Sequence, residues 1–242
     1  MKISAKSDVG VVRQNNQDCY LAGEFSDGTV WALVCDGMGG ANGGNIASET
    51  AAKTVSDKLS FGYHEAMNDN SIKNLIVSAI EAANATVFSR SLSDSALKGM
   101  GTTIVLVIIK SGTLYLAHVG DSRIYLITKD SIHRLTTDHS VVQLMLDRGE
   151  ITSEEAKDHP QKNVITRALG VDDSIRIDFS QEIFDDGDLV LLCSDGLTNF
   201  VDESTIFELC NTCNSYELAD ILVDKANENG GGDNITVVTV TD

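Results

Sequence analysis

The chain has 242 residues, 42% of them hydrophobic, and a single proline, as expected of one globular domain over 1–242 with a sizeable core and no linker. Its 36 acidic against 18 basic residues give a net charge of −18, which repels nucleic-acid phosphates and anionic lipid headgroups and sets aside DNA, RNA and membranes as primary partners. Five cysteines, an odd number, with no secretory signal or membrane-spanning run, point to reduced, mostly buried thiols in a cytoplasmic protein.

In chain order, residues 3–12 read as a strand and turn, and Cys19-Tyr20-Leu21 as strand-like. The apolar run Val30-Trp31-Ala32-Leu33-Val34-Cys35 is a buried strand that stops at Asp36-Gly37-Met38-Gly39-Gly40 and passes into a glycine loop. Helical patterns follow at 45–59 and 71–91, the second with Leu75, Ala79, Ala82, Ala83 and Thr86 near helical spacing. Residues 102–109, 113–119, 123–128 and 131–135 are strand-like. Tight turns such as Lys110-Ser111-Gly112 join them, which favours antiparallel hairpins.

Residues 138–170 change character. Short helices are expected at 140–148 and 153–157, ahead of Pro160, in a polar insert. It reads either as a flap beside a site or as an ordinary pair of surface helices. Strands resume at 175–181 and 188–193, helices at 203–212 and 215–229, and a last strand at 235–240. Paired helices with antiparallel strand groups give an α+β layered class; the missing β-α-β alternation argues against a doubly wound sheet. Cys210-x-x-Cys213 lies in a helical pattern and has no second pair, which weighs against zinc and thioredoxin-like roles.

Two segments repeat one design. Leu33-Val34-Cys35-Asp36-Gly37 and Leu192-Cys193-Ser194-Asp195-Gly196 each bring an aspartate to the end of an apolar strand, followed by a glycine that permits close backbone approach. Asp233 opens the last strand and Asp18 precedes Cys19. Taken singly, each aspartate suits a turn, where Asp-Gly is common. If the four converge, their charges need compensation, and all-oxygen ligation favours magnesium or manganese. Spacing alone does not establish convergence.

Six motifs in order resemble the PP2C-type (PPM) serine/threonine phosphatases, in the bacterial form, over nearly the whole chain. They are Gly10-Val11-Val12-Arg13-Gln14-Asn15-Asn16-Gln17-Asp18, Asp36-Gly37-Met38-Gly39-Gly40, Gly101-Thr102-Thr103, His118-Val119-Gly120-Asp121-Ser122-Arg123, Cys193-Ser194-Asp195-Gly196 and Asp233-Asn234-Ile235-Thr236. The resemblance implies a four-layer α/β/β/α sandwich, two antiparallel sheets flanked by helices. It implies two core Mn2+ or Mg2+ ions, bound by Asp36 and the Gly37 carbonyl, with Asp18 acting directly or through water and Asp195 and Asp233 completing the second site. A weaker third ion would take Asp121 with Asp195. Arg13 would grip the substrate phosphate with its planar fork of donors. Asp36, Asp195 and Arg13 would then serve in-line attack by an activated water on phosphoserine or phosphothreonine of proteins.

The implied partners are phosphorylated proteins, a bacterial serine/threonine kinase and its targets, or a phosphorylated regulator of a sigma-factor pathway, with the chain itself a monomer. The cysteine-phosphatase loop C-x-x-x-x-x-R is absent, since Asn199 and Phe25 stand six residues after Cys193 and Cys19. Some eukaryotic members carry histidine after Asp-Gly as a proposed general acid; here that residue is Met38. His118 and His139 read as packing or hydrogen-bonding residues. A catalytically silent phosphoprotein-binding module would lack a metal carboxylate, and a calcium binder would carry an EF-hand loop; neither holds here.

Overall fold

The computed structural model describes residues 1–242 apart from the side chains of residues 40–42. In chain order the elements are β1 (Lys2–Asp8), β2 (Asp18–Glu24), β3 (Val30–Met38), α1 (Gly40–Gly62), α2 (Asp69–Ser93), β4 (Gly101–Thr102), β5 (Ile104–Lys110), β6 (Thr113–Val119), β7 (Arg123–Ile127) and β8 (Ile132–Arg134). Then come α3 (Val141–Asp147), α4 (Ser153–Lys157), β9 (Asp178–Ile183), β10 (Leu189–Cys193), α5 (Asp195–Thr198), α6 (Glu203–Thr212), α7 (Leu218–Glu228) and β11 (Ile235–Thr241).

Two antiparallel sheets result. One has the order β1-β11-β10-β7-β8; the other has the order β2-β3-β5-β6-β9, with β4 paired to β3. Because side chains alternate along a strand, each central strand feeds two cores. Along β3, Trp31, Leu33 and Cys35 face α1 and α2, meeting Ala51, Val55, Ile76 and Ile80. Val30, Ala32 and Val34 face the other sheet, meeting Val190, Leu192, Val238 and Val240. The outer face of that second sheet, with Leu191, Cys193 and Val237, is covered by Leu222, Val223 and Ala226 of α7 and Ile206 of α6. The layers are therefore α/β/β/α, as the resemblance implies. Strands that are apolar on both faces explain the continuous hydrophobic runs at 30–35, 104–109 and 189–193.

Some boundaries differ from those expected. Gly43 and Gly44 belong to the first turns of α1, not to a loop. A Cβ on Gly44 would lie 2.7 Å from both the Gln17 side chain and the Gly37 carbonyl oxygen, so glycine is required where this helix packs against strand ends. β9 begins at Asp178 rather than 175; Ile175 and Ile177 instead pack singly against the helix-side core. α7 begins at Leu218 rather than 215, because Glu217 N–H bonds back to the Asn214 carbonyl in a turn. Asp195 opens the short helix α5 instead of ending a strand. Among the described residues no helix is long and apolar enough to cross a membrane.

Candidate metal centre

β2 and β3 place Asp18 directly opposite Asp36 and Cys19 opposite Cys35. Gly37 N–H donates to the Gln17 carbonyl at 3.1 Å, which makes 17 and 37 a hydrogen-bonded pair. Asp18 and Asp36 are then the neighbouring non-hydrogen-bonded pair, the closer of the two kinds, with Cα atoms about 4.5 Å apart. Their side chains share the face of Val34 and Tyr20, the space between the sheets, while both cysteines face the helices. A two-residue alternation therefore separates the carboxylates from the thiols. Burial pushes the Cys19 thiol up to about 11 and Cys35 well above its ordinary value, so neither is a ready nucleophile.

The other sheet contributes from the same end. Asp195 follows β10, and Asp233 precedes β11. Asp121 lies in the turn between β6 and β7. Arg13, Asp36, Asp121, Asp195 and Asp233 all line one cleft of about 160 Å³, with Met38, Thr103, Asn163 and Ile165 completing its wall. Asp18 lies behind this wall, its Oδ2 accepting a 2.7 Å hydrogen bond from Ser194.

Fixed hydrogen bonds hold the aspartates. Asp36 N–H donates to Thr103 Oγ1 at 2.9 Å, and the Asp36 carbonyl accepts from Thr103 N–H and Thr102 Oγ1, each at 2.8 Å. Thr103 Oγ1 also lies 2.7 Å from Ser122 Oγ, which ties the Asp36 strand to the Asp121 turn. Ser194 bonds Asp18 and also accepts from Thr236 N–H at 3.0 Å. Asn234 accepts from Gln17 N–H at 2.8 Å and donates to the carbonyls of Val9 and Asn15 at 3.0 Å each. It thereby pins the loop that carries Arg13 and Asp18 to the start of β11. Gly37 admits no side chain, because a Cβ would overlap the carbonyl oxygens of Gly44 and Gln17.

Thr103, Ser194 and Asn234 stand within the motifs, yet the sequence alone assigns them no role. Their position next to the motif aspartates is the signal that marks them.

Crowding of like charges in a partly desolvated cleft shifts the carboxyls upward. Burial, aided by the charges of Asp195 and Asp233, pushes Asp18 up to about 7 against the pull of the Ser194 hydroxyl. Asp121 rises to about 7 through burial and then the charges of Asp195 and Asp138. Burial first, then Asp18, Asp195, Asp121 and Asp233, hold Asp36 well above the carboxylate range. Asp195 is raised by burial and Asp233, while Asn199 donates to its Oδ2 at 2.9 Å.

Asp18 Oδ1 is buried and has no hydrogen-bond partner. An orphaned acceptor among carboxylates that resist ionisation, in a cleft with no histidine or cysteine among its described lining residues, fits hard divalent cations. Among the described residues Arg13 is the one cation lining this cleft, and its Nη2 donates to Asp233 Oδ2 at 2.8 Å.

A second cluster, His118, His139 and Asp178, brings ligand-type atoms within 4.8 Å of one another. Its tautomers argue against a metal. His139 Nδ1 accepts from Gly120 N–H at 3.0 Å, so Nε2 carries the ring proton and donates to Asp178 Oδ2 at 3.2 Å. A cation on Nε2 would leave the ring with no proton at all. Arg167 Nη1, 3.0 Å from both His139 Nε2 and Asp178 Oδ1, already supplies positive charge there. His118 Nε2 lies 2.9 Å from the Thr137 carbonyl, and the two rings stack at 4.6 Å. Both histidines thus pack and bond, as expected.

The model of the protein phosphatase 2C family matches residues 11–224. The phosphatase PhpP of Streptococcus pneumoniae is 42% identical over 247 residues, covering 100% of this chain and 97% of that one. The serine/threonine phosphatase of S. agalactiae superposes with a TM-score of 0.92 at 35% identity, covering 100% of this chain and 99% of that one. The catalytic domain of the phosphatase PstP, solved with two manganese ions, gives 0.86 at 33% identity, covering 100% and 98%. With its four layers, its carboxylate cleft and relatives matched end to end, this chain belongs to the protein phosphatase 2C family.

Proposed function

We propose that the chain hydrolyses phosphoserine and phosphothreonine on proteins, using divalent cations held by Asp36, Asp195 and Asp233, with the Gly37 carbonyl, Asp18 and Asp121 as further donors. The observation that carries this reading is one cleft lined by four carboxylates and one arginine, backed by the orphaned Asp18 Oδ1. Manganese or magnesium bound there supplies positive charge for the carboxylates and the phosphoryl group, and acidifies a water for attack on phosphorus. Asp121, beside Asp195, suits the weaker third position.

The chain's own residues do the rest. The Thr102–Thr103 clamp keeps Asp36 at one place and angle, so its charge needs no reorganisation during reaction. Arg13 spends one of its five donors on Asp233, and among the described residues its other donors are unengaged. They suit the oxygens of a phosphoryl group. Met38 lines the cleft without a proton to give, so no side chain at that position protonates the leaving group. The segment 138–170 reads as a flap within a single catalytic domain, supported by Asn163 and Ile165 in the cleft wall. A serine/threonine kinase and its targets, in the cytoplasm, are the partners that such chemistry serves, with the enzyme a monomer.

The test is hydrolysis of p-nitrophenyl phosphate and a phosphothreonine peptide with manganese, magnesium or chelator. Turnover should require a divalent cation and fall at least about a hundredfold in folded Asp36→Asn and Asp195→Asn variants. Full activity in chelator would overturn the mechanism.

A further inference from the structure

Beside the metal cleft lies a larger groove of about 350 Å³. Met38 and Ile165 line both, so the two spaces adjoin. Beyond that shared sill the groove is apolar along Ala168, Val171 and Ile175, and Val171 is 46% exposed. Its polar residues are Thr166, Asp172 and Ser174, with two arginines, Arg167 and Arg176. These differ in how they are bound. Arg167 is engaged by Asp178 at 3.0 Å and abuts His139. Arg176 is 80% exposed and reaches Asp178 only through a long 3.7 Å contact. Asp178 already has His139 and Arg167 as closer partners, so the Arg176 guanidinium is held weakly at the groove and is available to another anion.

We infer that this groove takes the stretch of substrate next to the phosphoresidue, with an apolar side chain over Met38, Ile165 and Val171 and an anionic side chain on Arg176. The inference rests on the phosphatase reading, because the occupant follows from it. A peptide with its phosphoryl group against the aspartates must leave the cleft, and the groove adjoins the cleft across Met38 and Ile165. Charge favours this occupant. On a chain of net charge −18, acidic peptides are repelled in general, so an exposed arginine at the end of an apolar track selects for an acid placed there. A carboxylate and a second phosphate share the chemistry that Arg176 recognises.

The experiment compares phosphothreonine peptides carrying Leu-Glu, Leu followed by a non-hydrolysable phosphonate analogue of phosphoserine, or Leu-Gln beside the phosphothreonine, on either flank, with p-nitrophenyl phosphate as the reference for the metal centre. The wild type should favour the anionic over the Leu-Gln peptide about tenfold in kcat/KM on one flank, mainly through KM, as expected for binding that is uniform through the reaction. In R176E that ratio should fall to one or invert, and in R176K it should survive. Each ratio is taken within one variant, so losses of fold or metal cancel. A stronger preference for the phosphonate peptide assigns the anion as a second phosphate; equal preference for glutamate assigns a carboxylate. A wild-type ratio near one on both flanks, or one unchanged in R176E, overturns the groove assignment while p-nitrophenyl phosphate turnover leaves the phosphatase reading intact. Loss of all turnover with manganese overturns that reading instead.

Discussion

Thr103 joins two halves of the site through one oxygen: its Oγ1 accepts from Asp36 N–H at 2.9 Å and meets Ser122 Oγ at 2.7 Å. Thr103→Val keeps the side-chain shape and removes that oxygen. It leaves a buried N–H and a buried hydroxyl without a partner, which costs about 1–3 kcal/mol. Loss of such a support should also weaken manganese activation about 10–100-fold. Manganese titration of p-nitrophenyl phosphate turnover checks this, with Thr103→Ser restoring activation; an unchanged titration in the valine variant would remove Thr103 from the site's scaffold. Arg13 predicts the opposite division. Its ion pair with Asp233 is 53% exposed on the arginine side and, as a surface pair, contributes about 0–1 kcal/mol. Arg13→Ala should therefore leave the melting temperature nearly unchanged and lower kcat/KM by about tenfold or more, through loss of donors to the phosphoryl oxygens. Matched losses in stability and activity would make Arg13 a structural residue.

The stretch before α3 is joined to β6 and β9 through His139, which stacks on His118 and bonds Asp178. The groups facing it are His118 and Arg167, which oppose its protonation, and Asp178, which favours it. Burial dominates, and the ring titrates at about 4, below its ordinary 6.5. A folded pKa below the unfolded one means that protons bind the unfolded chain more readily. The stabilisation is therefore complete above pH 6.5 and is lost as the pH falls toward 4, by about 2 kcal/mol between pH 7.5 and 5. Asp178 is held below its ordinary value by hydrogen bonds from His139 and Arg167 that outweigh its burial, so its own loss lies in a lower window, under pH 3.8. Denaturant unfolding at pH 7.5 and 5, for wild type and His139→Gln, isolates this effect as a difference between the proteins. An equal pH response in both would exclude it. At this scale the sequence was informative where a pattern is local. The hairpin of β5 and β6 follows from apolar runs and turn residues; the helix α4 stands at 153–157 as expected, and the structure adds the Thr152–Glu155 capping box that starts it. The start of α1 and the helix α5 were not legible. Glycines in α1 answer a packing demand from Gln17 and Gly37, and four residues are too few to show a period.

Five aspartates reach one end of the sandwich from both sheets, and that meeting is a property of the whole molecule. The strand-end placement of Asp36 could be read from an apolar run followed by glycine. The meeting itself could not: Asp18 touches Ser194 across 176 residues, and Arg13 meets Asp233 across 220. Periodicity is local, while register and sheet packing are not, so only motif order carried that information in the sequence. The same convergence sets a thermodynamic expectation. In chelator the aspartates repel one another inside a chain of net charge −18, and the fold bears that cost. A cation that binds only the folded state removes it and adds about 2.7 kcal/mol at a hundredfold excess over its dissociation constant. For a chain of this size that raises the melting temperature by about 5–10 °C. Asp36→Asn discriminates this account from one in which Asp36 is a turn residue. Asp36 feels Asp18, Asp195, Asp121 and Asp233 together, so its neutral amide should raise the melting temperature in chelator while abolishing the gain from manganese. A turn residue would lower stability in both conditions and leave the manganese gain in place. Thermal melts of the two proteins with chelator and with manganese separate these outcomes without recourse to catalysis.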